Sequence, residues 1–294
     1  MSKQITSTVM MIRPVAFRFN EETAVNNYYQ KVLDGVSARQ VQDRALREFD
    51  TFVALLRSKA IDVVVIDDNI EPSTPDSIFP NNWISFHQDG RVGLYPMCAE
   101  NRRLERREDV LTKLQEEHEF LVDDVVDFSH YEQQQLFLEG TGSMLLDRVN
   151  RIAYAALSLR TDVKVLEDFC SHFNYQAVTF TSFQSVGSER LPIYHTNVMM
   201  CLADEFVVLC ADTIDDEIER NVLIKQLEAT GKEIIYITEA QKYHFAGNML
   251  QLSSKTGVKY LVMSSSAHKA LNMSQIDQIE KYCQILSSSL DTIE

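Results

Sequence analysis

The 294-residue sequence predicts an α/β fold, a propeller-like array of modules each made of a helix, a strand and a β-hairpin. Three observations predict it. A loop-and-hairpin element recurs four times, anchored at Asn82, Gly142, Asn197 and Asn248, with spacings of 60, 55 and 51 residues. Helical-period segments and short apolar runs recur between these anchors in a constant order, so the unit is an α/β module and not a bare β blade. No Pro-, Gly- or Ser-rich linker divides the chain, which predicts one domain over residues 1–294.

The elements follow in order. Thr8 to Arg13 reads as a strand and is followed by a loop ending near Ser37. Over residues 38–59, Val41, Ala45, Leu46, Phe49, Phe52, Val53 and Leu56 define one helical face, and residues 61–66 form a buried strand. Phe79 to Phe86 meets Val92 to Tyr95 across Gln88-Asp89-Gly90-Arg91, an Asp-Gly hairpin signal. Residues 100–120 predict one helix whose Arg/Glu run faces solvent. The second hairpin turns at 147–150, and a helix over 161–173 and a strand over 175–181 lead to the third, which turns at 203–204. A helix over 215–230 and a strand over 232–238 lead to the fourth, which turns at 255–257. A helix over 274–287 closes the pattern, with Leu290 able to begin another strand.

Composition narrows the function classes. The chain is 45% hydrophobic and 24% charged with a net charge of −15 and no strong basic tract, which disfavours nucleic acid and anionic membranes as partners. Met1 to Ile12 lacks the apolar core of a signal peptide and no run reaches membrane-span length, so a cytoplasmic protein is expected. The five cysteines, Cys98, Cys170, Cys201, Cys210 and Cys283, are odd in number and lack Cys-x-x-Cys spacing, which predicts reduced thiols and no zinc site. No metal or organic cofactor is expected, and the sequence does not set the oligomeric state.

Two segments carry candidate chemistry. Leu138-Glu139-Gly140 sets an acid beside glycine just before a hairpin, where it either meets a ligand or stabilises the turn. Tyr194-His195-Thr196-Asn197, read as extended, puts His195 and Asn197 on one side, so His195 is either an acid/base group or a satisfied core histidine. Their places at equivalent points of successive modules favour function. None of the five cysteines sits at a matching loop. Ser264-Ser265-Ser266 lacks a nucleophile elbow and reads as a strand-end turn.

Pro75-Asp76-Ser77-Ile78-Phe79 with Asn81-Asn82, then Leu138-Glu139-Gly140, then His195-x-Asn197 resemble the guanidino-group modifying enzymes, over essentially the whole chain. Within that superfamily the chain looks most like the citrulline ureidase branch, through Phe79-Pro80-Asn81-Asn82-Trp83 and Phe245-Ala246-Gly247-Asn248-Met249. The resemblance implies a pentein fold, five modules about a pseudo-fivefold axis, and a thiol hydrolase acting on a free amino acid. It implies His195 as general acid/base, Glu139 as the acid that orients it or the substrate, and Asp76 at the substrate's amino-acid end. Arg102 and Arg160 match positions that bind a carboxylate in dimethylarginine hydrolases, although Arg102 also begins an arginine-rich helix.

Two departures from the pattern matter. Relatives that bind guanidinium place aspartates where this chain has Asn82 and Asn197, and an amide suits a neutral ureido group. The expected reaction is therefore cleavage of citrulline to ornithine, ammonia and carbon dioxide. An arginine deiminase or dimethylarginine hydrolase, or a non-catalytic amino-acid-binding pentein, is the alternative. The family's catalytic cysteine near the C-terminus has no counterpart within residues 1–294, and the module spacing puts the next loop past Glu294. The expectation is a missing C-terminal strand and catalytic loop, and an inactive chain without them.

Overall fold

The computed structural model describes residues 3–30 and 35–294. β1 (Thr8–Arg13) runs parallel to β2 (Asp62–Asp67), in register from Thr8↔Asp62 to Arg13↔Asp67. A parallel step cannot be closed by a tight turn, so the chain crosses over through α1 (Glu21–Ala24) and the long α2 (Ala38–Ser58). Ser37 and Gln40 form a capping box at the start of α2, and Ala45, Phe49, Val53 and Leu56 are its buried residues. The loop expected up to Ser37 holds α1 and includes residues 31–34, which lie outside the described residues.

Four three-stranded sheets share one plan: an antiparallel hairpin, a helical crossover, and a third strand parallel to the hairpin's second strand. The first has β3 (Ile84–Phe86), β4 (Arg91–Leu94), α3 (Glu100–Arg103), α4 (Glu108–His118) and β5 (Asp124–Asp127). In the second, α5 (Gly140–Ser143) leads into β6 (Met144–Asp147), β7 (Ile152–Leu157), α6 (Val163–Phe173) and β8 (Gln176–Thr181). A separate hairpin, β9 (Phe183–Val186) with β10 (Glu189–Pro192), precedes the third sheet of β11 (Met200–Leu202), β12 (Phe206–Leu209), α7 (Glu217–Ala229) and β13 (Glu233–Tyr236). After α8 (Glu239–Tyr243) comes the fourth, with β14 (Leu250–Ser253), β15 (Lys259–Ser264), α9 (Ser265–Ala270), α10 (Met273–Glu280) and β16 (Gln284–Ser288). The β1–α2–β2 unit repeats the second half of this plan.

Each hydrophobic core spans neighbouring units. Ile12, Val64 and Ile66 of the β1–β2 pair pack with Trp83, Ile84 and Val92 of the first sheet. Tyr95 and Phe128 reach Met144, Leu146 and Phe169 of the second. Tyr154 and Phe180 join Phe206 and Val208 of the third and Leu261 and Met263 of the fourth. Leu252, Val262 and Leu286 of the fourth return to Phe49, Val53 and Val63 of the β1–β2 unit.

The structure departs from the sequence expectations at specific places. The helix expected over 100–120 breaks between α3 and α4, because Arg102 and Glu105 turn inward as a buried pair instead of facing solvent. The helix expected over 274–287 stops at Glu280, and β16 pairs with β15 from Tyr260↔Gln284, earlier than the strand considered at Leu290. Ser264 caps α9 by accepting the Ala267 N–H, so the serine run is a helix start. Residues 196–198 form a 3₁₀ turn, which breaks the period-two argument that put Asn197 on the same side as His195. Strand β5 and the β9–β10 hairpin were not expected.

Candidate active site

Glu139 is the residue before α5, and Gly140 follows it at φ +46°. A Cβ on Gly140 would stand 2.3 Å from the Asn81 carbonyl oxygen, so glycine allows this turn to press against the loop carrying Asn82. Glu139 is fully buried, with Oε2 2.7 Å from His195 Nε2 and 3.4 Å from an Arg160 nitrogen. Its Oε1 accepts the Cys98 backbone N–H at 3.0 Å. Ser143 braces the turn: its Oγ accepts the Glu139 N–H at 2.9 Å and donates to the Arg160 carbonyl at 2.6 Å.

His195 enters the 3₁₀ turn in extended conformation, and Thr196 fixes the next position by accepting the Ala156 N–H and donating to the Ser143 carbonyl. The Tyr194 ring lies 4.7 Å from the imidazole, and the Arg160 guanidinium sits 4.8 Å over the same ring. A Cβ built on Gly142 would fall 2.4 Å from Asn82 Nδ2 and 2.8 Å from His195 Nδ1. The missing side chain of Gly142 is what lets Asn82 and His195 converge from different units.

Electrostatics assign the proton. Burial would raise the Glu139 carboxyl, but Arg160, the hydrogen bond from His195, and Arg102 outweigh it and hold the group well below the usual carboxylate range. Burial pushes His195 below its ordinary 6.5 against the pull of Glu139, with Arg160 and Arg102 pushing the same way as burial. Glu139 is thus an anion beside a neutral imidazole. A carboxylate accepts hydrogen bonds and does not donate, so the imidazole proton sits on Nε2 and Nδ1 presents a lone pair. That lone pair faces the point where Asn82 Nδ2 also arrives.

The remaining expected residues divide into three groups. Asp76 is buried and its Oδ2 accepts from Asn20 Nδ2 at 2.8 Å and Thr23 Oγ1 at 3.0 Å. Arg160 donates to the Thr23 carbonyl at 3.0 Å and to Asn26 Oδ1. Residues 20–30 therefore strap across both groups, and Tyr29 anchors the far end by accepting from the buried Lys242 amine at 2.7 Å. Arg102, 3% exposed, pairs with both Glu105 oxygens at 2.9 Å, donates to Asn82 Oδ1 at 2.8 Å, and reaches the Asp76 and Phe79 carbonyls. The carboxylate role expected of Arg102 thus meets a guanidinium already engaged by protein acceptors. Asn197 sits at a hairpin mouth where its backbone carbonyl accepts from Asn248 Nδ2 at 3.0 Å.

Asn20, Thr23, Asn26, Tyr194, Ser143 and Gly142 complete the site and were not picked out as site residues from sequence. Gly142 was visible as a hairpin anchor, whereas the strap residues carry no pattern because their partners are far away in sequence. Cys170, Cys201 and Cys210 are buried, with burial pushing their thiols up to about 11, 12 and 12. Cys98 borders the dyad, and there burial and then the Glu139 charge keep its thiol protonated. Among the described residues no group of three or more His, Cys, Asp or Glu is placed to hold a metal ion, and no helix is long and apolar enough to cross a membrane.

Comparison with known proteins decides the family, because the sequence model described as N,N dimethylarginine dimethylhydrolase, eukaryotic, matches residues 13–294. The chain belongs to that family. With it comes membership of the pentein guanidino-modifying superfamily. Among solved structures, the arginine dihydrolase ArgZ of the cyanobacterial ornithine-ammonia cycle matches 97% of this chain at TM-score 0.71 and 16% identity. This chain spans 38% of that ArgZ chain and 92% of the ArgZ N-terminal domain solved with substrate, which it matches at TM-score 0.69 and 17% identity. A dimethylarginine dimethylaminohydrolase adduct with S-methyl-L-thiocitrulline matches 98% of this chain and 94% of its own at TM-score 0.61 and 13% identity. At these identities the likeness is one of mixed α/β fold. No curated protein sequence matches the chain.

Proposed function

We propose that this member of the dimethylarginine dimethylhydrolase family hydrolyses the ureido C–N bond of free citrulline, giving ornithine, ammonia and carbon dioxide. One observation carries the reading: beside Gly142 the site brings together one donor, Asn82 Nδ2, and one acceptor, His195 Nδ1. A ureido group offers a carbonyl to the donor and an N–H to the acceptor, while a guanidinium offers donors alone. Asp76 and Arg160 take the α-amino and α-carboxylate ends, displacing the strap. His195 Nδ1 takes the proton of the attacking thiol, and the thiolate so formed adds to the ureido carbon. The imidazolium gives that proton to the departing amine, and the neutral imidazole then activates water against the carbamoyl thioester.

The attacking thiol is proposed on a further strand and loop, because none of the five cysteines is a thiolate poised at the dyad. The edge of β1 that carries no strand among the described residues, where the four three-stranded sheets carry an antiparallel one, supports that placement. The closed succession of shared cores supports five units in a ring about a pseudo-fivefold axis.

A second reading, hydrolysis of arginine or dimethylarginine, is favoured by the family match and by neighbours described as arginine dihydrolases. Calorimetric titration of the chain, and ornithine release by a form carrying the thiol, separate the two. The first reading expects citrulline bound at least about tenfold more tightly than arginine, since one mismatched contact is worth roughly 1.5–3 kcal/mol. Equal or tighter binding of arginine or dimethylarginine replaces it with the second.

A further inference from the structure

We propose that Arg102 is a positioning residue that sets substrate class by fixing which end of the Asn82 side chain faces the site. The inference rests on the ureido reading above and adds what enforces it. An asparagine amide turned over by half a revolution presents an oxygen where it had presented an NH₂, and the two forms match opposite ligands: donor-out fits a ureido carbonyl, acceptor-out fits a guanidinium. Left to itself, Asn82 serves either.

Arg102 removes that freedom. A guanidinium has donors and no acceptor, so the atom it meets at 2.8 Å has to be Oδ1. The guanidinium in turn is immobile: it is 3% exposed, forked onto Glu105 by two 2.9 Å bonds, and tied to the carbonyls of Asp76 and Phe79. Asn82 Nδ2 is left toward Gly142, takes no protein acceptor among the described residues, and is not among the side-chain atoms both sealed from solvent and unbonded. Turning the amide over would face its NH₂ against Arg102 donors, which leaves two buried polar groups without partners. The inward turn of Arg102 and Glu105 that breaks the helix between α3 and α4 thus serves the site.

The test compares binding of L-citrulline and L-arginine to wild type, Arg102→Lys and Asn82→Asp by calorimetry. Arg102→Lys keeps the charge but loses the fork, so the citrulline-over-arginine ratio should fall about tenfold or more, the equivalent of one hydrogen bond. A parallel weakening of both ligands with the ratio unchanged would reduce Arg102 to a structural part and overturn the proposal. Should Arg102→Lys fail to fold, Asn82→Asp decides: Arg102 retains a carboxylate oxygen while the other faces the site, so preference should invert toward arginine, and retained citrulline preference overturns the proposal. If wild type binds neither amino acid, the ureido reading fails and the orientation is read by NMR. Nuclear Overhauser contacts from the Asn82 amide protons to the Gly142 Hα protons uphold the positioning role, and contacts from those protons to the Arg102 guanidinium protons refute it.

Discussion

Gly142 and the Glu139–His195 pair show how much of this site depends on single atoms. At Gly142 an added methyl would meet Asn82 Nδ2 and His195 Nδ1 well inside contact distance, and both are held by further partners. Gly142→Ala should therefore cost about 1–3 kcal/mol in a urea unfolding series and abolish citrulline binding; unchanged binding would remove Gly142 from the site. The dyad also makes a pH prediction whose sign follows from both groups. His195 titrates below its ordinary 6.5 and Glu139 below its ordinary 4.5 in the folded chain, so between these limits the unfolded chain binds more protons. Stability should fall as pH drops through 6.5 and fall further below 4.5. His195→Asn should flatten the upper part of that decline in melting temperature; an identical profile in the variant would mean that His195 is not the group responsible.

At the level of elements, the strap of residues 20–30 is the part that sequence did not disclose. The hairpins were legible because alternation and an Asp-Gly turn are local signals, and α2 was legible because Ala45, Phe49, Val53 and Leu56 repeat with helical spacing. The strap has no repeat: Asn20 and Thr23 find Asp76, and Tyr29 finds Gln184 and Lys242, across very long stretches of chain. The break between α3 and α4 was hidden for a related reason, since a run of Arg and Glu reads as solvated until one pair turns inward. Within the candidate site, Glu139 and His195 were visible as a pair from the repeat, but the proton on Nε2 and the orientation of Asn82 needed coordinates. Tyr29 packs between Tyr243 and Phe245 at 6.0 and 5.3 Å, and burial pushes the Lys242 amine down to about 8. Tyr29→Ala should cost about 3 kcal/mol, as aromatic truncations in cores do, and should raise hydrogen exchange over residues 20–30 while leaving β12 protected. Exchange in the strap that matches wild type would mean Tyr29 does not anchor it.

For the whole molecule, the informative asymmetry is between β1 and the strands that hold the same place in other units. β7 and β12 lie between two neighbours and are almost wholly buried, whereas β1 pairs with β2 alone and is half-exposed along most of its length. In a parallel pair each strand directs alternate amides to its partner, so β1 turns a second set of N–H and C=O groups toward an edge with no strand on it among the described residues. An edge of this kind, half-buried and carrying Val9, Met10 and Met11, presents the backbone groups that the middle strands of the four three-stranded sheets use to pair with an antiparallel neighbour. Hydrogen exchange measured residue by residue separates the two sides. The β1 amides that donate to β2 should approach the protection of β12, and the alternate set should exchange faster by about a hundredfold or more, because they open without global unfolding. Uniform protection across β1 at the level of β12 would show the edge already covered. Repeating the measurement across a range of protein concentrations would then tell whether a second copy of the chain covers it, since protection supplied by a partner falls on dilution and protection supplied from within the chain does not.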